Sequence, residues 1–301
     1  MAKILVSGLI NLENTLRVDE FPITYLPVRF PFFGVGMSVS GVGYNLAKAL
    51  TTLGNTVEFC SLIGRDPTST LVRGALAAIP IADSGVISAL ETTPASVILY
   101  DPSGKRAIFT DLKDIQETAY PPDPFKARLQ TCDLAALCNI NFSRPFLAEV
   151  RKMGKPIATD LHTISDLDDP YNRDFFAAAD ILFMSDERLP APPDVWAQAV
   201  MGRYPQVRIL VIGMGGTGAL LVERGAEPLH LAAVSTRPIV NTIGAGDALF
   251  SAFLDGYAQG LSAFKALRRA MVFASYKIGA TGAADGFLTP ESLEEWYQRS
   301  L

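Results

Sequence analysis

From residue 123 onward, apolar runs of strand length alternate with segments of helical spacing, and this alternation restricts the fold more than any other feature. Helical patterns at Pro124–Gln130 and Pro145–Met153 frame an apolar run at Ala135–Ile140. Strand patterns follow at Pro156–Thr159, closed by Asp160, at Ile181–Met184, and at Arg208–Ile212 after a helix bearing Trp196. Strands separated by helices pair in parallel through right-handed crossovers, so the expectation is an α/β fold with a central, mostly parallel sheet flanked by helices. The run Lys3–Gly8 reads as a further buried strand, and no repeat or linker divides the chain, so residues 1–301 are expected to form one domain.

At 301 residues, 49% apolar and 19% charged, the chain carries enough hydrophobic material for a large core and is not a disordered sequence. A net charge of −5, with no basic stripe interleaved with aromatics, argues against a nucleic-acid partner. No apolar run reaches about 18 residues, and the first strand is too short for a signal segment, so neither a membrane span nor secretion is expected. Cys60, Cys132 and Cys138 are odd in number and lack metal-ligand spacing, which predicts buried reduced thiols and a cytoplasmic setting. Of the two histidines, neither lies near a nucleophile motif, so a Ser-His-Asp hydrolase is not supported. His230, in Leu229-His230-Leu231, reads as a surface strand position; His162 is harder to dismiss.

The chemistry concentrates at Val240-Asn241-Thr242-Ile243-Gly244-Ala245-Gly246-Asp247, followed by the apolar-periodic run Ala248–Tyr257. Small residues at 244–246 allow close backbone approach to a ligand, and the unpaired N–H groups of a helix entry hold an anion. Asp247 would repel that anion. Its carboxylate makes sense as a base taking a proton from a hydroxyl about to attack a phosphoryl group, or else as a simple helix cap.

The run resembles the C-terminal signature of the ribokinase-like (PfkB) carbohydrate kinases, matched by Thr242, Gly244, Ala245, Gly246 and Asp247. Asn241 replaces the usual acid and Leu249 the usual aromatic. The resemblance extends in order along nearly the whole chain. Ser40-Gly41-Val42-Gly43-Tyr44-Asn45 is similar to the family's N-terminal glycine motif, with Ser40 in place of the first glycine. By resemblance Asn11, Glu13 (for the usual Asp), Gly41 and Asn45 bind the phosphate acceptor. Gly213, Gly215, Gly218, Thr242, Ser275 and Gly282 fall where the family binds ATP. The family's Asn-x-x-Glu, which organises Mg²⁺, is here Ser185-Asp186-Glu187-Arg188. Asp186 or Glu187 would substitute as metal ligand, Arg188 would contact a phosphate directly, or the turn is merely a solvated acidic surface.

The β-leaning segments within 15–38 and 95–111, the latter folded at Asp101-Pro102-Ser103-Gly104, suggest a small sheet standing off the body. In the family such a lid closes over the sugar and in many members pairs with that of a second subunit, which makes a homodimer plausible. The aromatics Phe30, Phe32, Phe33 and Tyr44 suit stacking on a nucleobase or, equally, lid packing. The resemblance therefore implies an ATP- and Mg²⁺-dependent kinase for a hydroxymethyl group of a sugar or nucleoside-like metabolite. A binding protein that has lost its Mg²⁺ chemistry is the alternative. Many relatives need K⁺ beside the Gly-Ala-Gly turn. With Asn241 carrying no charge, that site is expected to bind K⁺ weakly or not at all.

Overall fold

In the computed structural model, which describes residues 1–300, the chain begins with β1 (Lys3–Ser7) and leaves the body for β2 (Asn11–Arg17) and β3 (Val35–Ser40). It returns through α1 (Val42–Thr52) to β4 (Thr56–Gly64), then α2 (Thr68–Ala77) and β5 (Val86–Leu90), and leaves again as the hairpin β6 (Ala95–Tyr100) and β7 (Arg106–Asp111). The expected alternation follows: α3 (Pro122–Gln130), β8 (Leu134–Leu137), α4 (Phe146–Lys152), β9 (Ile157–Thr163), α5 (Arg173–Ala178), β10 (Ile181–Ser185), α6 (Pro193–Arg203) and β11 (Ile209–Gly213). The chain ends with β12 (Ala219–Glu223), β13 (Leu229–Leu231), α7 (Ala245–Ala258), α8 (Ala263–Lys277) and α9 (Pro290–Arg299).

The large sheet runs β13-β12-β11-β10-β9-β8-β1-β4-β5 and is parallel except that β12 pairs antiparallel with both β11 and β13. Its inner strands are covered on both faces. Along β1, Ile4 and Val6 enter one core with Phe59, Phe250 and Phe273, while Leu5 enters the other with Phe125, Phe142 and Phe175. Two-faced burial explains why these strands read as unbroken apolar runs. Each such side chain withdrawn from water stabilises the fold by roughly 1.5–3 kcal/mol. The chain leaves β1 toward β4 and β5 and comes back on the other side at β8, so the crevice beyond the ends of β1 and β8 is where such a sheet receives ligands.

The second sheet, β3-β2-β6-β7, has two unlike faces. The register aligns Ser38, Glu13, Ser96 and Thr110 on one face, where Glu13 and Ser96 are buried. On the other it aligns Met37, Asn14, Val97 and Phe109, and the three apolar side chains are exposed. The expected hairpin turn is present, with Asp101 Oδ1 accepting from the amides of Ser103 and Lys105. Two expectations need correction. The first lid strand begins at Asn11, and the run from Val28 to Gly34 is not a strand. Pro27 and Pro31 remove ladder donors and Gly34 closes a turn onto the Pro31 carbonyl, so Phe30, Phe32 and Phe33 stand exposed in a loop. Tyr44 is packed in the main core, on the inner face of α1, and is not free to stack on anything.

The three cysteines are free and buried, and His230 is an exposed strand residue bonded to Asp194. No helix among the described residues is long and apolar enough to cross a membrane.

Candidate active site

The site forms where two helix entries meet beyond the end of β1. Gly43, in the first turn of α1, lies directly against Gly8; a Cβ on Gly43 would stand 2.4 Å from the Gly8 carbonyl carbon. Only glycine permits that approach, and it carries Asn45 to the crevice. From the other side α7 starts at Gly244, whose φ of 73° is left-handed and whose Cβ would meet the Ala283 carbonyl oxygen at 2.5 Å. No side chain caps α7; its Ala245 amide donates to the Thr242 carbonyl at 3.2 Å, and the Gly246 and Asp247 amides remain available to an anion.

Asp247 is not a cap. Its Oδ2 accepts from Asn45 Nδ2 at 2.6 Å, a contact between residues 202 positions apart. Ser40 Oγ donates to Glu13 Oε2 at 3.0 Å and lies 3.3 Å from Asn45 Oδ1, which chains Glu13, Ser40, Asn45 and Asp247 together. Burial pushes the Asp247 carboxyl above its ordinary range, opposed by the Asn45 bond. Burial also raises Glu13, opposed by Ser40. Two buried oxygens, Glu13 Oε1 and Asn11 Oδ1, have no protein partner. Buried polar atoms are seldom left unpaired, and these two are free to accept hydrogen bonds from a hydroxyl-bearing ligand. Asn11 Nδ2 donates to Ser96 Oγ at 3.1 Å, which ties it to the inner lid face. Gly41 is the N-cap of α1, with φ 104°.

Beside this chain, a cavity of about 160 Å³ opens at the ends of β1, β8 and β9, lined by Leu9, Cys138, Asn139 and His162 among others. Asp160, at the same strand end, is buried and accepts from the His162 amide at 2.8 Å. A roomier hollow of about 390 Å³ beneath α6 and the β12–β13 turn shares no residue with this neighbourhood.

The residues expected at the nucleotide are distributed differently. Gly213 ends β11, and Gly215 and Gly218 form the turn into β12, both with positive φ. Thr242 Oγ1 accepts from Arg106 Nη1 at 2.8 Å, and Arg106 Nη2 reaches Glu187 Oε1 at 3.2 Å. Ser275 Oγ lies 3.0 Å from both the amide and the hydroxyl of Thr236. Gly282 lies against Asp285. The uncapped α7 entry and the glycine turn after β11 fit a triphosphate. No three His, Cys, Asp or Glu side chains among the described residues cluster as a preformed metal site. A Mg²⁺ held mainly by phosphate oxygens and water asks for only one or two carboxylates. Asp186, half-buried and raised by burial, and Glu187, paired to Arg106, are the carboxylates at the end of β10.

Sequence reasoning missed Arg106 and Lys277. Arg106 is an unremarkable exposed strand residue until the hairpin folds against Thr242, 136 positions away. Lys277 did leave a signal. It follows Ala266, Ala270 and Phe273 at helical spacing, a buried face on which a lysine is out of place.

A model of the pfkB family carbohydrate kinases matches residues 1–290. Acarbose 7(IV)-phosphotransferase of Actinoplanes sp. is 26% identical over 285 residues, covering 91% of each chain. The structure of a microbiome-derived acarbose kinase superposes with a TM-score of 0.88 at 25% identity, covering 99% of both chains. That of Arabidopsis thaliana ribokinase complexed with ribose and ATP shares the fold, with a TM-score of 0.80 at 19% identity and 99% of both chains covered. Since the family match spans the lid, both helix entries and the whole parallel sheet, the chain belongs to the pfkB family of carbohydrate kinases.

Proposed function

We propose that this kinase transfers the γ-phosphoryl group of ATP to a hydroxymethyl group of a sugar or glycoside, with Asp247 as general base. The observation that carries this reading is the Asn45–Asp247 contact, which seats a buried carboxylate, its affinity for a proton raised, at the uncapped entry of α7. Asp247 takes the hydroxyl proton as the oxygen bonds to the γ-phosphorus. The bond from that phosphorus to its bridging oxygen breaks, and ADP leaves with the electron pair. The Gly244 and Gly246 amides hold the charge that builds on the transferred group, while the Ala245 amide, which donates to the Thr242 carbonyl at 3.2 Å, fixes the turn. Asn11, Glu13 and Asn45 orient the acceptor's other hydroxyls, and Asp186 and Glu187 would hold a Mg²⁺, which would offset phosphate charge.

A sugar is preferred to a nucleoside because Tyr44 is locked in the core and Phe30, Phe32 and Phe33 stand in an exposed loop. The two acarbose-directed relatives point the same way and to acceptors larger than a monosaccharide. A screen of monosaccharides, glycosides and nucleosides for Mg²⁺-ATP-dependent ADP release, with NMR of the product, tests the reading. Phosphate on a primary sugar hydroxyl is the expected result. Turnover of nucleosides alone would overturn the acceptor class, and saturable sugar binding without turnover would favour a binding protein.

The same reading includes a homodimer through the lid, because Met37, Val97 and Phe109 stand exposed in one row across the sheet, interrupted only by Asn14. Light scattering at micromolar concentration decides this, a monomer being the contrary result.

A further inference from the structure

Lys277 ends the buried face of α8 and has no exposed surface. An ammonium group taken wholly out of water is unfavourable unless it is paired and hydrogen-bonded. Its hydrogen bond goes to the carbonyl of Ile243, the residue just before the Gly-Ala-Gly turn. The charged groups that face it come from separate elements: Asp247 from α7, Glu13 from β2, Asp285 from the turn before α9, and Arg237 from the segment before the loop. Burial drives the lysine down to about 8, against the pull of the three carboxylates. The same seam is closed by three further bonds. The Val240 and Asn241 amides donate to the Ile278 carbonyl at 2.9 and 3.2 Å, and Asn241 Nδ2 donates to the Thr281 carbonyl at 2.8 Å.

We infer that Lys277 is a positioning residue for phosphoryl transfer: its ammonium, held on the Ile243 carbonyl, fixes the 243–246 amides against α8 and supplies the positive charge that balances Asp247 and Glu13. The inference rests on the reading of Asp247 as the base. Two consequences follow. Because the Ile243, Ile278 and Thr281 carbonyls already accept from the protein's own donors, the loop does not require an added monovalent cation. And as pH rises through about 8 the lysine loses its proton, so the rate falls on the alkaline side.

Stability moves the opposite way. A lysine lowered from 10.5 in the unfolded chain to about 8 in the fold destabilises the fold fully below about 8, and that burden lifts as pH climbs toward 10.5. A lysine kept only for structure would show no such conflict between rate and stability.

The test compares wild type with Lys277→Met by kcat across about pH 6 to 10 and by thermal melting. Lys277→Ala is assayed in ammonium, potassium and choline chlorides at equal ionic strength. The Met variant is expected to melt no lower than wild type, to lose about 10- to 100-fold in kcat, and to lack the alkaline limb. The Ala variant is expected to regain rate in ammonium but not in choline. A Met variant with wild-type kcat and an intact alkaline limb overturns the inference. So does a rate loss that only tracks the folded fraction, or an Ala variant that no small cation rescues. Asp247→Asn is measured alongside. If it keeps wild-type kcat, the base reading has failed; if it is inactive while Lys277→Met is not, only the role of Lys277 has failed.

Discussion

Helix α7 is fastened by two asparagine–aspartate contacts of nearly equal length, Asn45–Asp247 at 2.6 Å and Asn55–Asp255 at 2.7 Å, and only the first is linked on through Ser40 to Glu13 of the lid. Asp255 Oδ1 also accepts from Gln259 at 2.7 Å, and Asn55 Oδ1 in turn receives the Ala2 amide at 3.2 Å. That network is closed and ties the N-terminal strand to the helix. Asp247 has one side-chain donor, Asn45, and its neighbour Glu13 has an oxygen with none. Burial raises both aspartates, so neither charge nor burial separates them. Unfilled hydrogen-bonding capacity does. A satisfied buried pair rigidifies, while a partly satisfied one is held ready for a ligand.

The contrast is broken most forcefully by the two aspartates themselves. Asp247→Asn should lower kcat by about 10² to 10⁴ with the fold and ATP affinity kept. Asp255→Asn should lower stability by about 1–3 kcal/mol and leave kcat per folded molecule unchanged. Equal rate losses in the two variants would collapse the distinction. The asparagines sharpen it next. Asn45→Ala, and likewise Glu13→Ala, should raise the acceptor KM by roughly 5- to 150-fold with little change for ATP. Asn55→Ala should show its effect in denaturant unfolding alone. The smallest effect belongs to Glu187. Its pair with Arg106 is half-exposed and worth no more than about 1 kcal/mol, so Glu187→Gln should raise the Mg²⁺ needed for half-maximal rate only a few-fold. A larger loss would make Glu187 the principal metal ligand.

How much of this was legible in the sequence depended on whether the signal was local. The β/α alternation from residue 123 reads correctly because β8 to β11 are buried on both faces and the helices between them turn apolar residues to the sheet, which writes the period directly into the chain. Asn45 and Asp247 were legible as helix-entry residues, but their mutual contact is a product of the fold. The stretch Val28–Gly34 misled because its aromatic content resembles a strand, whereas prolines and a missing partner strand leave it a loop. Arg106, Thr242 and Glu187 meet only through tertiary folding, and nothing in the spacing of those residues announces it.

The central claim, that Asp247 is the group whose ionisation limits the reaction, is tested most directly by the acid limb of kcat/KM in wild type and in Asn45→Ala. The base must be ionised to accept a proton, so the rate falls as pH drops through its folded pKa. Burial places that limb above the ordinary aspartate value of 3.8. The Asn45 bond favours the charged carboxylate and holds the limb down, so removing it should move the limb to higher pH. An acid limb that stays in place when Asn45 is replaced would mean that the titrating group is not Asp247.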